Sequence, residues 1–165
     1  MCALLLALLW SSDLLTLRGD KPLVLLFVRS DCPISNRYAP DLQRLYTKFS
    51  PHGIDFRLIY AEGGLTMASM EQHRKDYGLS IPAQMDTDHK EVLRAKVHVT
   101  PEVAVYLKGK LIYRGRIDDR YKDLGKGAPQ ATQHDLEEVL ENLLAGKPIR
   151  QRQTRAVGCA IEDLP

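Results

Sequence analysis

Cysteine is scarce in this chain. Cys2, Cys32 and Cys159 are the only three in 165 residues, and no two of them form a Cys-x-x-Cys pair. An odd count rules out a complete framework of internal bridges, so at least one thiol is free or paired outside the chain. Excess charge is also missing. A formal net charge of +2 is too small to argue for nucleic acid or an anionic membrane surface as partner. The sequence has no Gly-rich phosphate loop, no paired catalytic carboxylates and no basic patch interleaved with aromatics. The apolar run Ala3-Leu4-Leu5-Leu6-Ala7-Leu8-Leu9-Trp10 is too short to cross a bilayer as a helix. It is followed by Ser11-Ser12 like the core and exit of an export signal, yet no Lys or Arg precedes it. It reads either as an export or anchor segment or as a first buried element, so cytoplasmic and exported placement both stay open. With 44% hydrophobic and 27% charged residues, the chain has the composition of a globular domain with one core.

The organising stretch is Leu23-Val24-Leu25-Leu26-Phe27-Val28, then Arg29-Ser30-Asp31-Cys32-Pro33-Ile34-Ser35. Six consecutive apolar residues read as a strand buried on both faces. Pro33 suits the first turn of a helix, and apolar residues at 34, 38, 42, 45 and 49 keep helical spacing to about Phe49. Cys32 therefore stands where a buried strand hands over to a helix N-terminus. Backbone N–H groups and the helix dipole favour a thiolate there. The competing reading of a lone Cys is an inert buried hydrophobe.

Strand, Cys-Pro-Ile-Ser and a helix carrying Pro40 eight residues past the cysteine resemble the active-site arm of the thioredoxin superfamily. Val99-Thr100-Pro101 ahead of Glu102-Val103-Ala104-Val105-Tyr106-Leu107 resembles that family's cis-proline facing the active-site sulfur. The motif, and the long interval from Cys32 to Pro101, look most like the redoxin branch of peroxiredoxin-like and TlpA-like proteins. The resemblance implies an α/β fold, a thioredoxin-like three-layer sandwich with a central mixed β-sheet flanked by helices. It also implies thiol–disulfide oxidoreduction. Cys32 would be the attacking thiolate and Ser35 a hydrogen-bond donor to it. Pro101 would shape the substrate-facing surface. Thr100, Arg29 and Arg37 are candidate substrate-binding residues; the two arginines either favour the Cys32 thiolate, against the adjacent Asp31, or belong to a solvated face.

Three departures from the family pattern bear on mechanism. Ser35 replaces the second cysteine and cannot resolve a mixed disulfide. Leu26 stands where thioredoxins bury an acid. Arg29 stands where typical peroxiredoxins carry a Thr or Ser that helps hold peroxide, which disfavours a peroxidase. Cys159 lies in a small, Gly-containing island of apolar residues, Thr154 to Ile161, within a polar tail. If the tail folds back, Cys159 is a candidate resolving thiol; otherwise it is a buried thiol or pairs with a partner. A Cys32–His98 metal pair is chemically conceivable but lacks a ligand motif, so neither metal nor cofactor is expected.

Along the rest of the chain, Ser50-Pro51-His52-Gly53 breaks the first helix and residues 54–60 read as a second core strand. Thr66 to Tyr77 reads as a helix with Met67, Met70 and Tyr77 inward. Asp88-His89-Lys90-Glu91 reads as a capping box starting a helix that carries Val92, Leu93 and Val97. Strands 102–107 and 111–114 form a hairpin around Lys108-Gly109-Lys110. Residues 122–133 read as a mobile loop. A last helix covers about 133–145, with Leu136, Val139, Leu140, Leu143 and Leu144 on its apolar stripe. The expected organisation is an N-terminal segment at 1–14, a thioredoxin-like domain at 15–146 and a tail at 147–165. The expected partner is a protein or low-molecular-weight thiol or disulfide, with neither nucleic acid nor stable membrane insertion. A reading of another class remains beside the enzyme: a redox-inactive module that holds a partner peptide in the thioredoxin groove.

Overall fold

The computed structural model describes residues 21–162, so the segment at 1–14 and the first part of the stretch before Leu23 lie outside the described residues. The elements run β1 (Leu23–Val28), α1 (Pro33–Phe49), β2 (Asp55–Tyr60), α2 (Met67–Asp76), β3 (Ala83–Met85) and α3 (Lys90–Ala95). Then follow β4 (Val99–Thr100), β5 (Glu102–Leu107), β6 (Lys110–Gly115), β7 (Tyr121–Asp123), β8 (Lys126–Gly127), α4 (Asp135–Leu144) and β9 (Cys159–Ala160). Five strands form one mixed sheet in the order β3-β2-β1-β5-β6. β1 is at its centre, parallel to β2 and antiparallel to β5.

That central position explains the unbroken apolar sequence of β1. Side chains alternate between the two faces of a strand. Val24, Leu26 and Val28 enter the core formed with Leu42 and Leu45 of α1 and Leu136 and Leu140 of α4. Leu25 and Phe27 enter the opposite core with Val92 and Ala95 of α3. The result is the expected three-layer α/β sandwich. No helix among the described residues is long and apolar enough to cross a membrane.

Several local expectations are corrected. Only Met70 of the α2 stripe is buried, whereas Met67 and Tyr77 are exposed. Met70 and His73, three apart, form its inner side instead; Tyr77, just past the helix, lies against His73 with ring centroids 4.6 Å apart. The Asp88 capping box does not form. Asp86 accepts hydrogen bonds from the backbone N–H groups of Glu91 (3.1 Å) and Val92 (2.9 Å), while Asp88 pairs with Lys90 at the surface. His89, at a positive φ of 54°, turns the chain so that the earlier carboxylate reaches the helix start. Leu93 and Leu144 face outward. Residues 122–133 contain part of the hairpin β7–β8, and the Asp119 carboxylate accepts from the backbone of Thr132 and Gln133. The predicted hairpin β5–β6 turns at Lys108 and Gly109, both at positive φ, as a two-residue connection requires.

Candidate functional site

Cys32 is the N-cap of α1, with Pro33 at the first helical position. Its sulfur lies 3.5 Å from the backbone nitrogen of Ser35, whose N–H points at it. The same sulfur is 3.1 Å from the Thr100 carbonyl oxygen, a contact that a reduced thiol can turn into a donated hydrogen bond. The Thr100–Pro101 peptide is cis. Thr100 and Pro101 are both buried, as is Cys32 at 1% exposure.

The remaining neighbour comes from the far end of the chain. After α4 the tail runs back along the sheet. Arg114 and Thr154 bond through N–H to carbonyl at 3.1 Å, and the Arg114 N–H donates to Arg152 O at 3.0 Å. Thr154 Oγ1 accepts from Arg116 N–H (3.0 Å) and bonds the Tyr113 hydroxyl (2.7 Å). Gly115 makes room for it, because a Cβ there would strike Thr154. β9 then pairs antiparallel with β4, setting Cys159 opposite Thr100 and Ala160 opposite Val99. Ile161 is buried in the smaller core. Cys159 and Cys32 are joined in a disulfide with Cα atoms 6.0 Å apart, across 127 residues of sequence.

The other expected residues are placed as follows. Arg29 donates two hydrogen bonds to Asp31 (3.0 and 2.9 Å) and one to Ala160 O (3.1 Å), so it ties the cysteine turn to the tail. That pairing holds the Asp31 carboxyl below its ordinary value and raises the guanidinium. Arg37 is exposed on α1 and reaches the Tyr121 hydroxyl at 3.3 Å. The Ser35 hydroxyl is buried without a hydrogen-bond partner among the described residues; it is the backbone of Ser35 that meets the sulfur. His98 is exposed, and its backbone N–H donates to Glu102. Among the described residues no group of three His, Cys, Asp or Glu side chains is disposed to hold a metal.

Sequence reading missed two features. Gly158 lies flat against the Thr100–Pro101 backbone, where any Cβ would collide. A polar chain under the cysteine turn runs from Tyr60 through His73, Asn36 and Ser30 to Glu62. Its one sequence signal is His73 sharing a helical face with Met70.

A mixed sheet of this order, a cysteine capping the first helix and a cis X–Pro bond against its sulfur define a thioredoxin-like redoxin. The model of the AhpC/TSA family matches residues 11–114, and the chain belongs to that family. No curated protein matches it. Among solved structures, an uncharacterized conserved protein of Geobacillus kaustophilus is similar with a TM-score of 0.78 at 24% identity, covering 88% of this chain and 79% of that one. A hypothetical protein of Sinorhizobium meliloti 1021 gives a TM-score of 0.77 at 22% identity, covering 90% and 83%. A secreted Mycobacterium tuberculosis disulfide oxidoreductase, described as homologous to E. coli DsbE, gives 0.53 at 20% identity, covering 80% and 85%. At these identities the likeness is one of fold.

Proposed function

We propose that the chain is a thiol–disulfide oxidoreductase whose redox pair is Cys32 and Cys159. The observation that carries this reading is the disulfide between the α1 N-cap and the β9 strand. In the reduced protein the Cys32 thiolate, favoured by the Ser35 N–H and the start of α1, attacks one sulfur of a substrate disulfide. One substrate thiolate leaves and Cys32 holds the other half as a mixed disulfide. The Cys159 thiolate then attacks Cys32 Sγ and expels the second substrate thiolate. Two electrons have moved from the cysteine pair to the substrate, and an external thiol reductant restores the pair. Cys159 thus does what Ser35 cannot. Pro101 and Thr100 form the wall that substrate meets once β9 lifts from them, and Arg37 lies exposed on α1. The Ser35 hydroxyl, without a partner among the described residues in the disulfide form, is available to the thiolate once the bridge opens.

Substrates of this chemistry are proteins or small molecules bearing thiols or disulfides. Peroxide is a poorer fit, because the guanidinium of Arg29 is committed to Asp31 and Ala160.

The test is alkylation of the reduced protein against pH, for wild type and Cys159→Ser, with mass spectrometry after mild disulfide or peroxide treatment. A Cys32 pKa below ~7.5 and a Cys32–Cys159 crosslink are expected. An inert Cys32, titrating near or above ~8.5, would sink the reading and leave the peptide-holding module.

A further inference from the structure

The polar chain beneath the cysteine turn has only one consistent direction. The Asn36 side chain donates from Nδ2 to the Ser30 carbonyl at 3.0 Å, and a carbonyl can only accept. The Asn36 Oδ1 therefore faces His73 Nε2 at 2.9 Å, and Oδ1 also can only accept. The proton of the neutral imidazole must sit on Nε2. That leaves Nδ1 bare, to accept from the Tyr60 hydroxyl at 2.8 Å. Tyr60 is fully buried, and His73 is its one hydroxyl partner among the described residues. At the other end Glu62 accepts from the Ser30 N–H (2.9 Å) and the Ser30 hydroxyl (2.6 Å). The Asn36 N–H closes the first turn of α1 on the Cys32 carbonyl at 3.0 Å. Each end of the segment 30–36 that bears Cys32 is thus held by a side chain from β2, its following loop or α2.

We infer that His73 is a positioning residue for Cys32: its neutral, Nε2-protonated form orients Asn36 and so fixes the turn that presents the sulfur. A second proton on Nδ1 would face the Tyr60 hydroxyl, whose own proton would then have no acceptor among the described residues. Protonation keeps the Nε2–H bond to Asn36 but orphans the buried Tyr60 proton, so acid disfavours this placement of the ring and loosens the turn through it. The charged and titratable groups around the ring are Glu62 and Asp76, which favour that proton, with Glu71 and Arg74 acting on Tyr60 and the Tyr77 ring packed alongside. Burial outweighs them and holds the His73 pKa below its ordinary 6.5, so the neutral form prevails at neutral pH.

The inference rests on Cys32 being the attacking thiolate. Its test is the pH profile of Cys32 alkylation in reduced Cys159→Ser protein, read on the Cys32 peptide by mass spectrometry. The parent, His73→Gln and His73→Phe are compared. The parent is expected to show a second ionisation in acid, beyond that of the thiol, where the rate per thiolate falls. His73→Phe should lose about tenfold in rate at neutral pH, as small misplacements of a reacting group do. His73→Gln donates to Asn36 without titrating, so it should keep most of the rate and lose the acid ionisation. Nitrogen-15 NMR of the His73 ring supplies a readout independent of variant folding, and the Nε2–H tautomer is expected. Variants with the parent's full profile, or an Nδ1–H tautomer, would overturn the inference while leaving Cys32 chemistry intact. A parent whose Cys32 does not react at any pH would overturn the oxidoreductase reading, and this one with it.

Discussion

Thr100 and Cys159 are register partners: the residue that precedes Pro101 pairs across an antiparallel ladder with the residue that brings the second sulfur. The tail meets Cys32 as a short strand, with its backbone aligned by β4 and its small residues against the cis-proline turn. Consequences for stability and redox poise follow from that pairing.

The disulfide closes 127 residues of chain. Chain-entropy arguments give a loop of that length about 5 kcal/mol of stabilisation relative to the reduced form. Reduction should therefore lower the urea midpoint strongly. Cys159→Ser, oxidised or reduced, should match the reduced wild type within about 1 kcal/mol. Equal midpoints for oxidised and reduced wild type would show that the tail contributes nothing through the bridge.

Gly158→Ala tests the fit of the tail without touching a sulfur. Its Cβ would meet the carbonyl of Thr100 and the nitrogen of Pro101, so β9 must lift away from β4. The bridge should become easier to reduce by about tenfold, a shift of about +30 mV in the two-electron potential. Equilibration with a glutathione redox buffer measures it. An unchanged potential would mean that β9 tolerates the displacement.

Thr154→Val tests the upstream anchor of the tail. The substitution leaves the Arg116 N–H without its acceptor, while the Tyr113 hydroxyl keeps the Arg116 carbonyl at 2.7 Å. An orphaned buried polar group costs about 1–3 kcal/mol, so denaturant unfolding of the oxidised protein should show a loss in that range. A neutral result would indicate that water replaces the hydroxyl.

Acid stability should depend on Glu137. Arg44 (2.8 and 2.7 Å) and Lys48 (2.8 Å) of α1 donate to this α4 carboxylate and hold its pKa at about 2. A depressed carboxylate stabilises the fold above its unfolded value, near 4.5, and that contribution is lost as the pH falls through about 2. Both cations are nearly half exposed, so Glu137→Gln should cost about 1 kcal/mol at pH 7. The difference from wild type should shrink as the pH falls towards 2 and vanish below it. A gap that persists there would assign the effect to packing rather than charge.

Much of the framework was legible locally. Leu23 to Val28 show a doubly buried strand because both faces demand apolar residues. Pro33 and the spacing to Phe49 show the helix that follows, because helical periodicity is written within a few turns. Val99-Thr100-Pro101 was recognisable as a motif. Asp86 displaced the expected Asp88 cap because the left-handed turn at His89 decides which carboxylate reaches the helix start, and propensity alone does not report that turn. Met67 and Tyr77 were misplaced because apolar spacing does not say how far a helix is covered by its neighbours.

The sequence by itself determined the doubly buried strand β1, the placement of Cys32 at the start of α1 and the lack of a second thiol at position 35. The first two are fixed by interactions among residues close in the chain or by a strict local period. Only the tertiary structure decided that Cys159 meets Cys32, that Gly158 lets it approach and that Asn36 and His73 are hydrogen-bonded beneath the turn. These relations join residues up to 127 positions apart. Such partners are chosen by packing and ladder register across the whole fold, and no local pattern records them.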